Sequence, residues 1–379
     1  MLPRCCCGLK RDGTLPRCRH PAGMAEGRAK FLWRVHKKRK GAEMLKVAMI
    51  GAGGMGATHA GCYARMPDVQ VAAVFDQNAE AASRLAARHG ARPFENVDEM
   101  LAQVHPDIVD VCVPTPWHAE YVCKAAGLKP KGIVVEKPMG RTLDECERMI
   151  TECKKNGVPL YPAHVLRFFP EFALARARVL DGAVGEVACV RTRRGGPFPR
   201  AWNNWYGKQD LSGGVILDLI IHDFDWLRWT FGEVQRVFAY GLGAAAGPTA
   251  EVTKDYALVT LRFVSGVIGH VEGTWADPGG FKVSFEIAGQ EGLLEYNFNQ
   301  PTSPAYVAGL ERAEGTGPGV AVPENPMAES PYYLELYHFV QCLIRGEQPA
   351  ITPEDGREAV RIALAAIESA MTGQPVVLR

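Results

Sequence analysis

One stretch constrains this chain more than any other, the run from Lys46 to Gly56. Val47, Ala48, Met49 and Ile50 form a short apolar run of the kind that makes a buried strand. Gly51, Gly53 and Gly56 follow at the spacing G-x-G-x-x-G, and Ala57 to Met66 has the composition of a helix. Gly51 permits the tight turn out of the strand, Gly53 lets backbone approach a pyrophosphate, and Gly56 lets the helix pack on the strand. The helix start then offers free N–H groups and a positive dipole end to phosphates. A second strand, residues 69–75, runs into Asp76, which stands 20 residues after Gly56. An acidic residue at that distance suits the hydroxyls of an adenosine ribose. Gly51, Gly53, Gly54, Met55, Gly56 and Asp76 are therefore the expected dinucleotide loop. The competing reading is an ordinary strand–turn–helix corner.

With 379 residues, the chain is long enough for two domains. No apolar run approaches the roughly 20 residues of a membrane span, so no membrane contact is expected. Residues 1–43 hold 12 Lys/Arg against 3 Asp/Glu, and the remainder of the chain carries a net charge of −8. A mildly acidic body is a poor partner for nucleic acid. The basic tail contains Cys5, Cys6, Cys7, Cys18 and His20, without the clean C-x2-C pair of a zinc site; no metal is expected. No apolar stretch of secretory-signal type follows the basic residues. The tail is read as disordered, or as the product of a start codon placed too far upstream, with Met44 the natural start. The other seven cysteines are scattered, which points to reduced thiols and a cytoplasmic protein.

Beyond Asp76, strands and helices alternate. Helices are expected over 79–89, 98–104, 117–126 and 143–156, the last opened by a capping box at Thr142 and Glu145. Strands are expected over 108–113, 132–136 and 158–164. This alternation predicts a parallel sheet with helices on both faces. Gly51, Asp76, Thr115 and Glu136 all fall at carboxyl ends of strands, where ligands of such sheets bind. The domain boundary is placed near residue 165. The second half changes character: a helix over 170–180, a strand over 186–193, a Pro-, Trp- and Asn-rich loop over 195–214, and a helix over 214–231. Long strands follow over 234–242, 254–263, 267–275, 281–288 and 293–298, with Ser265-Gly266 as a hairpin turn. Residues 301–325 read as a loop. Two final helices start at Ser330-Pro331 and Thr352-Pro353, each a cap followed by proline at the first helical position. A short strand over 374–378 ends the chain.

The helix over 215–231 is apolar nearly all round and should be buried. Asp218, His222 and Asp225 interrupt it at i, i+4 and i+7. A carboxylate one turn from a histidine is expected to fix the imidazole tautomer and raise its basicity, as a general base requires. The competing reading is a polar contact inside a helix-packing interface. Glu136-Lys137-Pro138 follows a strand at the crevice. A lysine there can stabilise the alkoxide oxygen that develops as hydride leaves, and Pro138 suggests a fixed turn, with a cis bond one option.

Taken together, the glycine loop, Glu136-Lys137-Pro138 and Asp218-x-x-x-His222 resemble the glucose–fructose oxidoreductase/inositol dehydrogenase/rhizopine-catabolism (Gfo/Idh/MocA) family over about residues 44–379. The resemblance implies an α/β fold class: an N-terminal Rossmann doubly wound parallel sheet (44–165) that binds NAD(P), then a C-terminal α+β domain (166–379) with a large open, mostly antiparallel sheet. That second domain would carry the substrate site and the contacts of a homodimer or homotetramer. It further implies catalytic roles for Lys137, Asp218 and His222, and cofactor contacts from Thr115, Pro116, His118 and Glu136. Arg167 becomes a candidate substrate contact. Read from the residues alone, Trp202, Asn203 and Trp205 in the loop before the helix would suit a polyol, with a structural or oligomer-packing loop the competing reading. Arg193-Arg194 could hold an acid or phosphate, or equally line a solvated strand. Asp76 should disfavour a 2′-phosphate, hence NAD rather than NADP. The activity implied is hydride transfer between nicotinamide and a secondary alcohol or carbonyl of a sugar, cyclitol or sugar derivative. The alternatives are a non-catalytic dinucleotide sensor and an NAD-assisted glycosidase.

Overall fold

A computed structural model describes residues 44–199, 201–242, 255–297 and 329–378, and of Trp202 only the backbone. The basic tail and the loop over 301–325 lie outside the described residues. The first half alternates as β1 (Leu45–Ile50), α1 (Gly54–Ala64), β2 (Val69–Phe75), α2 (Ala79–His89), β3 (Arg92–Phe94) and α3 (Val97–Val104). It continues as β4 (Ile108–Val111), α4 (His118–Ala126), β5 (Gly132–Glu136), α5 (Leu143–Asn156) and β6 (Leu160–Ala163). These six strands form one sheet in the order β3-β2-β1-β4-β5-β6, every pair parallel. The order reverses between β1 and β4, and the crevice at such a switch point is where ligands bind. The three residues of β3 are too few to show a period, and the sequence pattern did not reveal them.

Local signals explain most of the helix ends. Asn78 caps α2 by accepting from the Ala81 N–H, and Gly90 ends it in the left-handed conformation. Thr142 and Glu145 form the expected capping box on α5. The turn after β5 contains a cis Lys137–Pro138 bond.

The second half contributes α6 (Pro170–Leu180), β7 (Val187–Gly195), α7 (Gln209–Ser212), α8 (Ile221–Phe231), β8 (Val234–Leu242), β9 (Tyr256–Phe263) and β10 (Ile268–Thr274). It ends with β11 (Lys282–Gly289), β12 (Leu293–Asn297), α9 (Pro331–Arg345), α10 (Pro353–Thr372) and β13 (Val376–Val377). The seven strands order as β12-β11-β7-β10-β9-β8-β13. Only β7 and β10 run parallel; the other neighbours are antiparallel. The sheet alternates buried and outward residues: in β9, Ala257, Val259 and Leu261 are buried between outward Leu258 and Thr260. Helix α10 packs on β8 and α8, and reaches across to α5. Thr352 and Asp355 form its capping box.

The continuous helix expected over 215–231 is interrupted. Residues Val215–Leu219 make a π-helical turn, and α8 starts only after Ile220, whose φ of −83° and ψ of 3° leave the helical region. The wider turn rotates everything before Ile220 relative to α8. The loop expected over 195–214 likewise contains a 3-10 segment, Trp202–Gly207, and the single-turn α7. Among the described residues no helix is long and apolar enough to cross a membrane.

Two glycines of the first loop have no substitute. Gly51 has φ +110°, and a Cβ there would stand 2.7 Å from the Cys112 backbone. A Cβ on Gly56 would stand 2.1 Å from the Gly51 carbonyl oxygen. In an open helix Gly→Ala gains about 1 kcal/mol, but backbone cannot yield to this overlap, and overpacking costs about 1–3 kcal/mol. Gly56→Ala should therefore lower the urea midpoint of unfolding without changing the slope; a raised midpoint would contradict the packing described.

Candidate active site

The site grows from the glycine loop. Gly51 N–H donates to the Phe75 carbonyl, tying the end of β1 to the end of β2. Ala52 N–H donates to Asp76 Oδ2 at 2.7 Å and Asn78 N–H to Asp76 Oδ1 at 2.8 Å. Asp76 thus shapes the loop itself and stays half-buried. Gly53 and Gly54 are exposed, and nothing lies within 4 Å of a Cβ built on Gly53. Helix α1 has no side-chain cap on its first N–H groups. A glycine with open space above it and uncapped N–H groups fits a pyrophosphate cradle.

Across the switch point, Thr115 is buried at the start of a 3-10 turn, with Pro116 half-buried beside it. His118 is 1% exposed. Its Nδ1 lies 2.9 Å from the Pro138 carbonyl and its Nε2 2.8 Å from the Val113 carbonyl. Burial lowers its pKa. Both ring nitrogens are engaged, so His118 staples the Lys137-Pro138 turn to the end of β4 and has no free atom for a cofactor. The expected direct cofactor contact is corrected to a structural one.

Lys137 Nζ donates to the Asp218 carbonyl at 2.8 Å and stands 3.5 Å from Asp218 Oδ1. The turn after β5 thereby meets the π-helical turn before α8. Burial raises the Asp218 pKa, and Lys137 opposes that rise. His222 makes no hydrogen bond to Asp218, because the π-helical turn moves the two residues off the one-turn register of an α-helix. The supposed Asp–His tautomer lock is therefore absent. Burial, and then the charges of Lys137, Arg194 and His164, hold His222 well below the ordinary histidine range. Its Nδ1 is buried without a partner. His222 is a neutral imidazole beside a lysine.

The third residue of the expected stripe, Asp225, is spoken for. Arg167 donates to both of its oxygens, at 2.8 and 2.5 Å, and also to the Ala350 carbonyl at 2.7 Å. It is 4% exposed, and Asp355 accepts from it as well. Every guanidinium nitrogen has a partner inside the protein, so Arg167 joins elements and does not present a substrate contact. Arg193 pairs with Glu272 and Asp277, and Arg194 with buried Asp223 at 2.6 Å. Neither is free for an acid.

In the loop over 202–207, Asn203 is exposed with φ +53°, and Trp205 is buried, its ring tilted 31° against Tyr206 at 4.0 Å between centroids. Next to it, the pKa of Tyr206 is raised well above the ordinary value by burial and then by the charges of Asp218 and Glu136. Sequence reasoning also passed over His164, fully buried with both ring nitrogens unpartnered and neighbour to His222. A polar residue in an apolar run, at the exit of β6, was the available signal.

Comparison with known proteins agrees with this layout. Residues 45–164 match the GFO_IDH_MocA family model, described as an oxidoreductase family with an NAD-binding Rossmann fold. Residues 172–295 match the GFO/IDH/MocA C-terminal domain. The chain is 29% identical over 330 residues to myo-inositol 2-dehydrogenase of Thermotoga maritima, covering 86% of this chain and 96% of that one. It is 29% identical over 341 residues to scyllo-inositol 2-dehydrogenase (NAD(+)) of Bacillus subtilis, covering 88% and 96%. The crystal structure of GenD2 from gentamicin A biosynthesis, in complex with NAD, superposes with a TM-score of 0.80 at 26% identity, covering 92% of this chain and all of that one (100%).

Removing one partner of a buried ion pair costs about 3–5 kcal/mol. Arg167→Met should lose stability of that order in urea unfolding, and Arg167→Met/Asp225→Leu should recover most of it. A stable single variant would return Arg167 to the list of substrate contacts.

Proposed function

The chain belongs to the Gfo/Idh/MocA oxidoreductase family, and from that membership we propose that it oxidises a secondary alcohol of a cyclitol or sugar with NAD. The observation that carries the reading is the contact of Lys137 with Asp218, beside a neutral His222, on the crevice side of the glycine loop. NAD, when bound, supplies the hydride-accepting nicotinamide. Gly51, Gly53, Gly54, Met55 and Gly56 would hold its pyrophosphate, Asp76 the adenosine ribose, and Thr115, Pro116 and Glu136 its nicotinamide half.

In this reading His222 is the general base. A base must be unprotonated to act, and a pKa held below the ordinary range keeps the imidazole in that state at neutral pH. Two bonds to Asp218 fix the Lys137 ammonium, and its third N–H is left for the reacting oxygen. A cation at that point stabilises negative charge as it develops on oxygen. Tyr206 and exposed Asn203 offer an aromatic face and an amide suited to a polyol. Residues 44–165 would hold the dinucleotide and residues 166–379 the substrate. The outward face of the second sheet carries exposed Tyr240, Leu242, Leu258 and Ile268, which supports a homodimer or homotetramer joined there.

A panel of cyclitols, aldoses and aldonic acids, with NAD and NADP, read by nicotinamide absorbance, tests the proposal. Oxidation of at least one cyclitol or aldose is expected, with NAD preferred. NAD binding without oxidation of any member would favour a dinucleotide sensor. With the best substrate, His222→Ala should lower kcat/KM about 10²–10⁴-fold. For the unaltered enzyme, kcat/KM should stay level through neutrality and fall only as acid protonates His222, at a pH below the ordinary histidine pKa. A fall centred near or above that ordinary value would assign the base to another group.

A further inference from the structure

A second polar cluster lies behind the site, under the glycine loop, and the reaction as described does not use it. His59, on α1, is fully buried. Its Nδ1 is 3.0 Å from Asp110 Oδ2, on β4. Its Nε2 is 3.1 Å from Glu136 Oε1, on β5, at ion-pair distance though off the line of a good hydrogen bond. The other Glu136 oxygen accepts from the Lys137 backbone N–H at 3.0 Å. Cys112 Sγ donates to Asp110 Oδ1 at 3.1 Å. Glu136 is 6% exposed, so its carboxylate cannot rely on water and needs a partner.

The charges around His59 agree with that geometry. Burial alone would lower its pKa, but Cys112 and Asp110 outweigh burial and hold it well above the ordinary value. Burial pushes the Cys112 thiol up as well. From α9, Glu335 faces the same cluster, both oxygens unpartnered among the described residues. Burial and then the charge of Glu136 raise its pKa well above the carboxylate range. Two carboxylates, Asp110 and Glu136, thus flank one imidazole, while Glu335 and Tyr63 close the cluster as neutral groups.

We propose that His59 is a positioning residue: anchored by Asp110 through one nitrogen, it sets with the other where the Glu136 carboxylate stands. The Glu136 side chain in turn holds the backbone of Lys137, the residue assigned to the reacting oxygen. The inference rests on the proposed function for its consequence in turnover, but not for its effect on dinucleotide binding. The spatial reason for a histidine is plain. It is rigid, it carries donors on opposite sides of the ring, and it spans from β4 to β5 beneath the loop that α1 opens.

The test is a double-mutant cycle on the full chain, with the dissociation constant of NAD read by calorimetry. His59→Asn keeps a donor toward Asp110 and removes the one toward Glu136. His59→Asn and Glu136→Gln should each weaken NAD about tenfold, and the double variant should also weaken it about tenfold. If the protein oxidises a substrate from the panel, kcat for His59→Asn should fall about tenfold with the alcohol KM unchanged. A double variant weakened about a hundredfold would show independent effects and overturn the proposal, as would His59→Asn binding NAD within twofold of the unaltered chain. Should His59→Asn fail to fold by circular dichroism, Asp110→Asn in the same cycle reads the coupling from the other side. A chain that binds NAD but oxidises nothing sinks the proposed function, while the cycle still decides the role of His59.

Discussion

Three aspartates sit on one apolar segment, Asp218, Asp223 and Asp225, and all are buried. A desolvated carboxylate must be paired, or its cost is several kcal/mol. Each is met by a cation from a different part of the chain: Asp218 by Lys137 after β5, Asp223 by Arg194 of β7, Asp225 by Arg167 in the stretch between the sheets. Apolar packing alone would let the segment around α8 slide against its neighbours. Three ion pairs of fixed geometry hold it to the first sheet, the second sheet and the connection between them. Lys137, the lysine proposed to meet the reacting oxygen, is one of those three cations, so the pairing that satisfies burial also fixes its ammonium beside Asp218.

The chemistry of His222 follows from this arrangement. With its nearby aspartates engaged elsewhere, the histidine has cations for company and no anion. Desolvation and like charge both disfavour protonation, and the ring stays neutral. His59 is the opposite case a short distance away. It is fully buried, yet Asp110 and Glu136 flank it, and its pKa is held above the ordinary histidine range. The pKa values of two histidines of one chain are thus driven in opposite directions by the charges the fold brings to them.

Much of the architecture was legible because its signals are local. The glycine loop, the capping box at Thr142, the proline starts at Pro331 and Pro353 and the Ser265-Gly266 turn each depend on a few adjacent residues. Motif order singled out Lys137, Asp218 and His222, and Lys137 does meet Asp218. The relation between Asp218 and His222 was misread, because i, i+4 spacing means proximity only in a regular α-helix and the π-helical turn breaks that rule. Arg167 and His118 were misread for a related reason. Their partners, Asp225, Asp355 and the carbonyls of Val113 and Pro138, are distant in sequence or belong to the backbone, and no spacing announces them. His59 went unnoticed in a helix of small and apolar residues with no marked polar face.

The sequence by itself determined the parallel dinucleotide half, the strand-rich second half, the loop that would hold a pyrophosphate and the few polar residues able to do chemistry. Those follow from period, glycine placement and composition, which act over a turn or a strand. Only the tertiary structure decided which carboxylate faces which cation, in which direction each histidine's pKa is driven, and which conspicuous arginine is structural. Those depend on burial and on distances between residues far apart in the chain. Electrostatic energy in a desolvated interior changes steeply with such distances, and no linear pattern records them.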